Sequence, residues 1–355
     1  MVQMHHSQRP SLPRTSDGAI GGAFARSNPM STPGLQDFSG LLLRLYRHAH
    51  ELPIEDFQDA ALRLIKPVLP FDSCMWGTAS RGTAGIDIHT LHLHNQSLEM
   101  IESYERVKHL DTAAAEVARR PRTTLAFNAD MWFSARHQGA LREHGRRHEQ
   151  ANFFITSDVN AVSGLVHWIT LFRADAEAHG TPEETQLLSA LAPHAMQALS
   201  LNRIVHLDRL DAPLGSAPGG SAIGDLHGVL YHADSAFEEL LRREWPGWHG
   251  RTLPGAMLEA FLHGSPRYLG RAIVASHHVE QRLLFLKGRA RCRADDLTPR
   301  EHTIAQLLAR GNTHKEIAAM LHRAPATVRN HIQSIYDKLE VGNVAGLIQE
   351  LGRAG

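Results

Sequence analysis

Arg329, Asn330 and Gln333 stand close together near the carboxy-terminal end of the chain. An arginine can hydrogen-bond both acceptors on a guanine edge, and asparagine or glutamine can do the same with adenine. Such a set does useful chemistry only on the open side of a helix narrow enough to enter a major groove. The apolar residues around it say which side is open. Val328, Ile332, Ile335, Tyr336 and Leu339 follow the i, i+4, i+7, i+8, i+11 pattern. At about 100° per residue they form a core stripe roughly 100° wide. The same arithmetic sends Ala326, Arg329, Asn330, Gln333 and Asp337 to the opposite side, with Thr327, Ser334 and Lys338 along one flank.

The elements that must hold this helix are also legible. Thr298, Pro299 and Glu301 form a helix start: the threonine caps, the proline supplies a preset φ, and the glutamate returns the capping bond. Ile304, Leu307 and Leu308 give that helix one apolar face, and Gly311 supplies the positive φ that ends it. Thr313 and Glu316 form a second capping box, opening a short helix buried through Ile317, Ala318 and Leu321. A short helix, a tight turn and a second helix with an outward polar row is the arrangement that groove reading requires. From Lys287 onward there are 11 Lys/Arg against 7 Asp/Glu, so a basic end follows an acidic body in a chain of zero formal net charge.

The runs L-T-P-R-E, G-N-T-H-K-E-I-A, T-V-R-N-H-I and I-Y-D-K-L, from 297 to about 351, resemble the LuxR/FixJ family of helix-turn-helix transcriptional regulators. The resemblance implies a four-helix fold whose third helix reads DNA and whose fourth supports dimerisation. It makes Arg329, Asn330 and Gln333 base-reading candidates and Thr327 and Lys338 phosphate contacts. Thr313 and Lys315, at a helix N-terminus, are further phosphate contacts on the same reading. The chain departs from the family pattern in places. Ala324 replaces the usual serine cap, a loss of about 1 kcal/mol that Pro325 partly offsets. His322 replaces the turn glycine, and histidine is among the few residues enriched at positive φ. Gln333 stands where many members carry Lys, and Val344 where many carry Arg. Region 4 of a sigma factor shares the architecture, but the quoted runs and the long preceding region speak against it. No phosphoacceptor receiver pattern is present.

Other candidate chemistry is sparser. There are 25 histidines. His92 and His94 would share a strand face, and His144 and His148 a helix face, yet no neighbouring Cys/Asp set completes a metal site. They read as solvated surface residues, and no metal or cofactor is expected. Trp76, Trp132, Phe153 and Trp168 are candidates to line a ligand pocket, although core packing explains each equally well. Tyr104 and Asp111 faintly resemble part of the set used by acyl-homoserine-lactone receptors. Cys74 and Cys292 fit neither a disulfide framework nor a zinc cluster. Nucleophile elbows, P-loops and GxGxxG fingerprints are absent, so catalysis is not expected.

The organisation follows. Residues 1–37 lack periodicity and read as a disordered segment. A helix-first α+β region at 38–210 resembles a GAF-type sensor domain. Within it, 165–172 is apolar on both faces and so is expected at the centre of its sheet. Thr181 and Glu184 cap a long exit helix whose Leu188, Leu191, Ala195, Ala198, Asn202 and Val205 follow a/d spacing, which suits pairing with a second copy and packing on its own domain equally well. Residues 211–224 read as a Gly/Pro/Ser linker. A stretch at 225–290 resembles a PAS domain, with Gly228 in a turn and Phe237, Leu240 and Leu241 on a helix. The expected fold is thus α+β multidomain: a GAF/PAS-like sensor region followed by an all-α module at 291–355. The expected partners are double-stranded DNA, RNA polymerase, a small-molecule effector and a second copy of the chain. No stretch approaches the ~20 apolar residues of a membrane span, and no secretory leader is visible, so the cytoplasm is the expected compartment. The competing reading is an enzyme or metal-binding protein in 38–290 carrying an accessory helix-turn-helix.

Overall fold

The computed structural model describes residues 34–82, 85–159, 164–210 and 219–354. The segment read as disordered lies outside them up to residue 33; its last residues, 35–37, are helical.

The first region begins with α1 (Leu35–Glu51) and α2 (Ile54–Ile65), followed by β1 (Ser73–Gly82) and β2 (Gly85–His94). Helices α3 (Leu98–Val107) and α4 (Thr112–Arg119), strand β3 (Leu125–Asn128), and helices α5 (Ala129–Trp132) and α6 (Gly139–Arg147) come next. The hairpin of β4 (Asn152–Val159) and β5 (Val166–Arg173) leads into α7 (Pro182–Arg209). The strands form an antiparallel sheet in the order β2-β1-β5-β4-β3. Strand β5 is central, as its two apolar faces predict. Alternation along the strands sends Cys74, Trp76, Phe154, Ile169 and Leu171 toward α1, α2 and α7. Phe127, Phe153 and Phe172 point the other way, into a layer with α4 and Leu141 of α6.

Helix α7 takes the second of the two readings of its stripe. Its capping box at Thr181 and Glu184 is present, and the helix continues through Pro193. However, Leu188, Leu191, Ala195, Ala198 and Asn202 are all buried within this region, packed beneath α1 and α2. Asn202 donates to the carbonyls of Ala49 and Leu52 at 3.0 and 2.9 Å. The a/d stripe is consumed intramolecularly, because the same spacing serves any apolar neighbour.

A second sheet follows. It contains β6 (Gly219–Asp225), β7 (Leu230–Ala233), β8 (Arg267–Leu269), β9 (Ile273–Glu280) and β10 (Leu283–Ala290), with α8 (Ser235–Glu244) and α9 (Gly255–Leu262) between β7 and β8. Its order, β7-β6-β10-β9-β8, repeats that of the first sheet strand for strand. Gly228 takes φ +83° in the β6–β7 turn, and Phe237 and Leu241 are fully buried. Part of the presumed linker is therefore a strand. Its glycines serve close packing rather than slack: a Cβ on Gly220 would stand 2.0 Å from the Phe237 nitrogen. The two sheets meet at a seam where Ile54 and Leu207 of the first region pack on Ile223, Leu283 and Phe285 of the second.

A 3-10 turn (Arg293–Asp296) leads to α10 (Pro299–Ala309), α11 (His314–Met320), α12 (Pro325–Leu339) and α13 (Val344–Ala354). Their common core includes Ile304, Ile317, Val328, Ile335, Leu339 and Leu347. Arg289 of β10 is buried at the junction with this helical unit. It holds Asp295 through two bonds of 2.7 and 2.6 Å and donates to the Ala354 carbonyl at 2.8 Å. Among the described residues, no helix is long and apolar enough to cross a membrane.

Candidate nucleic-acid interface

Three local devices set the attitude of α12. The capping boxes at Thr298/Glu301 and Thr313/Glu316 are both closed, fixing where α10 and α11 begin. Gly311 (φ +88°) and His322 (φ +51°) make the turns that let α11 and α12 fold back on α10. Helix α12 starts at Ala324 without a side-chain cap and with Pro325 in its first turn. On α12, Val328, Ile335 and Leu339 are buried and Ile332 and Tyr336 half-buried, so the expected stripe is its inner face.

Arg329, Asn330 and Gln333 are exposed on the outer face. They are not idle there. Arg329 lies 3.3 Å from the ring of His314, and Gln333 donates to Asp337 at 2.9 Å. Thr327 is exposed beside Arg300, Arg323 and His331 in a shallow groove between α10 and α12. Thr313 is spent as a cap, and Lys315 is exposed next to it. The sequence reading overlooked Arg300 and Arg323. The signal was available, since each precedes or follows a helix start by one or two residues.

Lys338 lies on the flank of α12 and has a partner that its spacing did not reveal. Its ammonium donates to Glu301 at 2.7 Å, and Ser334 donates to the other oxygen of the same carboxylate at 3.0 Å. Burial would raise the Glu301 carboxyl. Lys338, the N–H and hydroxyl of Thr298, and Ser334 outweigh it and hold the group at about 2 rather than 4.5. One carboxylate thus caps α10 and pins the far end of α12. The Lys338 side chain remains 38% exposed and keeps further N–H donors for a phosphate.

The aromatic ligand candidates do not come together. Trp76 is buried against Phe57, under α2. Phe153 lies on the opposite face of the sheet, stacked with Phe127 and Phe133. Trp132 is 42% exposed, edge-on to Phe127, and donates to Thr112. Trp168 shares the Phe153 side but lies over Gly77, where an added Cβ would stand 2.5 Å from the indole. Tyr104 does donate to Asp111, at 2.7 Å. The histidine pairs are not merely solvated. Asp59 accepts from His92 at 3.0 Å and His94 at 2.8 Å, and Ser103 bridges His144 and His148 at 3.0 Å each. Burial, then His148 and Arg147, brings His144 down to about 4. Among the described residues, no three His, Cys, Asp or Glu side chains are grouped to hold a metal ion.

The sequence pattern of the bacterial regulatory proteins of the luxR family matches residues 295–351, which span α10 to α13. The spore germination protein GerE of Bacillus subtilis is 42% identical over 59 residues, covering 80% of that protein and 17% of this chain. The chain belongs to the LuxR family. The probable transcriptional regulatory protein NarL of Mycobacterium tuberculosis is 36% identical over 84 residues. Against NarL the match spans only 39% of that relative's length and 24% of this chain. Among solved structures, Escherichia coli SdiA overlaps 90% of this LuxR-family chain and 98% of its own, at 13% identity and a TM-score of 0.38. Overlap at that level does not bear on the sheets that precede the helical unit.

Proposed function

We propose that this LuxR-family chain is a sequence-specific DNA-binding transcriptional regulator rather than an enzyme, with α12 as its recognition helix. The observation that carries the reading is the outward row Arg329, Asn330 and Gln333 on a helix fixed by capped neighbours. Arg329 and Asn330, near the amino-terminal end of α12, read base edges together with Gln333. Thr313, Lys315, Thr327 and Lys338 hold phosphates, joined by Arg300 and Arg323. The exposed Ile348 on α13 supports the reading of that helix as a contact in a homodimer. RNA polymerase is the downstream partner on this view.

The sheets at 38–210 and 225–290 act as GAF-like and PAS-like sensor domains, a reading supported by their shared strand order. A small-molecule effector acts by its differential affinity for DNA-competent and incompetent arrangements. Selection of binding sites from a randomised duplex by the full chain tests the proposal. A recurrent motif, bound with an affinity that falls steeply with salt, is expected. Recovery of no motif, or binding indifferent to salt, would overturn it.

A further inference from the structure

Arg203, on the carboxy-terminal half of α7, is 6% exposed. Its Nε is buried without a hydrogen-bond partner, and no carboxylate or carbonyl among the described residues receives its guanidinium. Its one contact of note is with the ring of Tyr231, 5.4 Å from the centroid. A guanidinium taken out of water with no counter-charge costs several kcal/mol. An anion that met the guanidinium would offset that cost. The nearest carboxylates are already engaged. Asp225 lies 2.7 Å from the Nδ1 of His89 and accepts from the N–H groups of His227 and Val229, each at 2.9 Å. Asp158 is paired with Arg122 at 2.9 Å.

The surroundings suit an oxyanion. Thr78 and His167 are directly opposed across β1 and β5, on the sheet face that α7 covers. Tyr231 reaches over from the second sheet, its hydroxyl 2.8 Å from that of Thr78. The three are neutral hydrogen-bonding groups, while the two carboxylates beside them, Asp225 at 3.5 Å from the Tyr231 hydroxyl and Asp158 across from His167, have partners of their own. Burial, then Arg203 itself, lowers His167 to about 4, so at neutral pH it adds no second charge.

We propose that Arg203 anchors a binding site for the carboxylate or phosphate group of a small metabolite at the seam between the two sheets, with Tyr231, Thr78 and His167 as its polar neighbours. A planar guanidinium binds either group through two parallel N–H bonds. Because Arg203 and Tyr231 come from different sheets, an anion held there ties one sheet to the other. As the place where an effector acts, the site rests on the regulatory reading above, but its test reads ligand binding alone.

The experiment is thermal unfolding of the full chain in sodium phosphate and in sodium acetate, each against sodium chloride at matched ionic strength. A saturating anion is expected to raise the midpoint by roughly 1–3 °C, in a concentration-dependent way. A shift with phosphate alone assigns a phosphate group, and a shift with acetate alone a carboxylate. Arg203→Met should abolish the shift. Arg203→Lys, which keeps the charge but not the planar pair of donors, should shrink it and serves if the Met variant does not fold. Absence of any shift, or an equal shift in wild type and in the folded variant, would overturn the proposal.

Discussion

Glu301 and Arg203 are both charged side chains withdrawn from water, 5% and 6% exposed. Glu301 receives hydrogen bonds from Thr298, Ser334 and Lys338, so its burial organises three turns of helix at once. Arg203 has an aromatic ring beside it and no anion. The helical unit closes its polar accounts internally, whereas the seam between the sheets leaves one open. A satisfied network holds one arrangement and rigidifies the unit that contains it. An unsatisfied charge makes the local structure responsive to whatever supplies the missing partner. The helical unit is built in the first way, and the region that precedes it in the second.

The strongest way to break this contrast is to open a closed account. Asp295→Ala removes the carboxylate that Arg289 holds through two bonds, and removal of one partner from such a pair costs about 3–5 kcal/mol. Chemical denaturation of the full chain should show the loss in the transition of the helical unit. An effect under about 1 kcal/mol would mean that the pair is not structural. Acid offers a subtler version. Because the Glu301 carboxyl is held at about 2 when folded and 4.5 is its ordinary value, its stabilisation is complete above 4.5 and is lost as pH falls from there toward 2. Lys338→Met should narrow that window and flatten the acid limb of a stability–pH profile by roughly 1–2 kcal/mol. An unchanged limb would assign the depression to Thr298 and Ser334.

DNA binding sharpens the contrast on the functional side. Arg329→Ala should cost about 1–3 kcal/mol and relax base preference at one position. Lys338→Ala should weaken all sequences evenly and lower the salt slope by roughly one unit. Selected-site binding with a salt titration for each variant separates the two; even losses for both would misplace the recognition helix. The smallest effect concerns the start of α12, which has no side-chain cap. Ala324→Ser should stabilise the unit by about 0.5–1 kcal/mol, seen as a raised denaturation midpoint.

The helical unit was readable in the sequence because its signals are local. Capping boxes, Gly311, His322 and the stripe on α12 all act within a few residues of themselves. Placement of Arg329, Asn330 and Gln333 on the open face followed from that periodicity alone. What escaped were contacts between distant segments. Glu301 looked like a cap and no more, because its bonds to Ser334 and Lys338 span 33 and 37 residues. Strand β6 was hidden by glycines that normally mark slack chain, here required by the approach of α8. The α7 stripe suited either a second copy or its own sheet, and periodicity cannot choose between apolar neighbours. His92 and His94 seemed solvated because Asp59, their common acceptor, comes from α2. At the seam, the contact of Asp225 with His89 and the approach of Tyr231 to Arg203 exist only through a juxtaposition of sheets.

Arg289 has a mechanical consequence. By gripping Asp295 just before α10 and Ala354 at the end of α13, it fastens the first and last turns of the helical unit to the same strand, β10. A body attached at one point swings freely like a weight on a cord. One held at both of its ends has lost most of that freedom and behaves as a door on its hinge, turning about a short axis through β10. On the proposed function, any signal leaving the sheets would arrive as a tilt of that axis, and the spacing of two such units on a duplex would follow the angle of the door rather than the length of a cord.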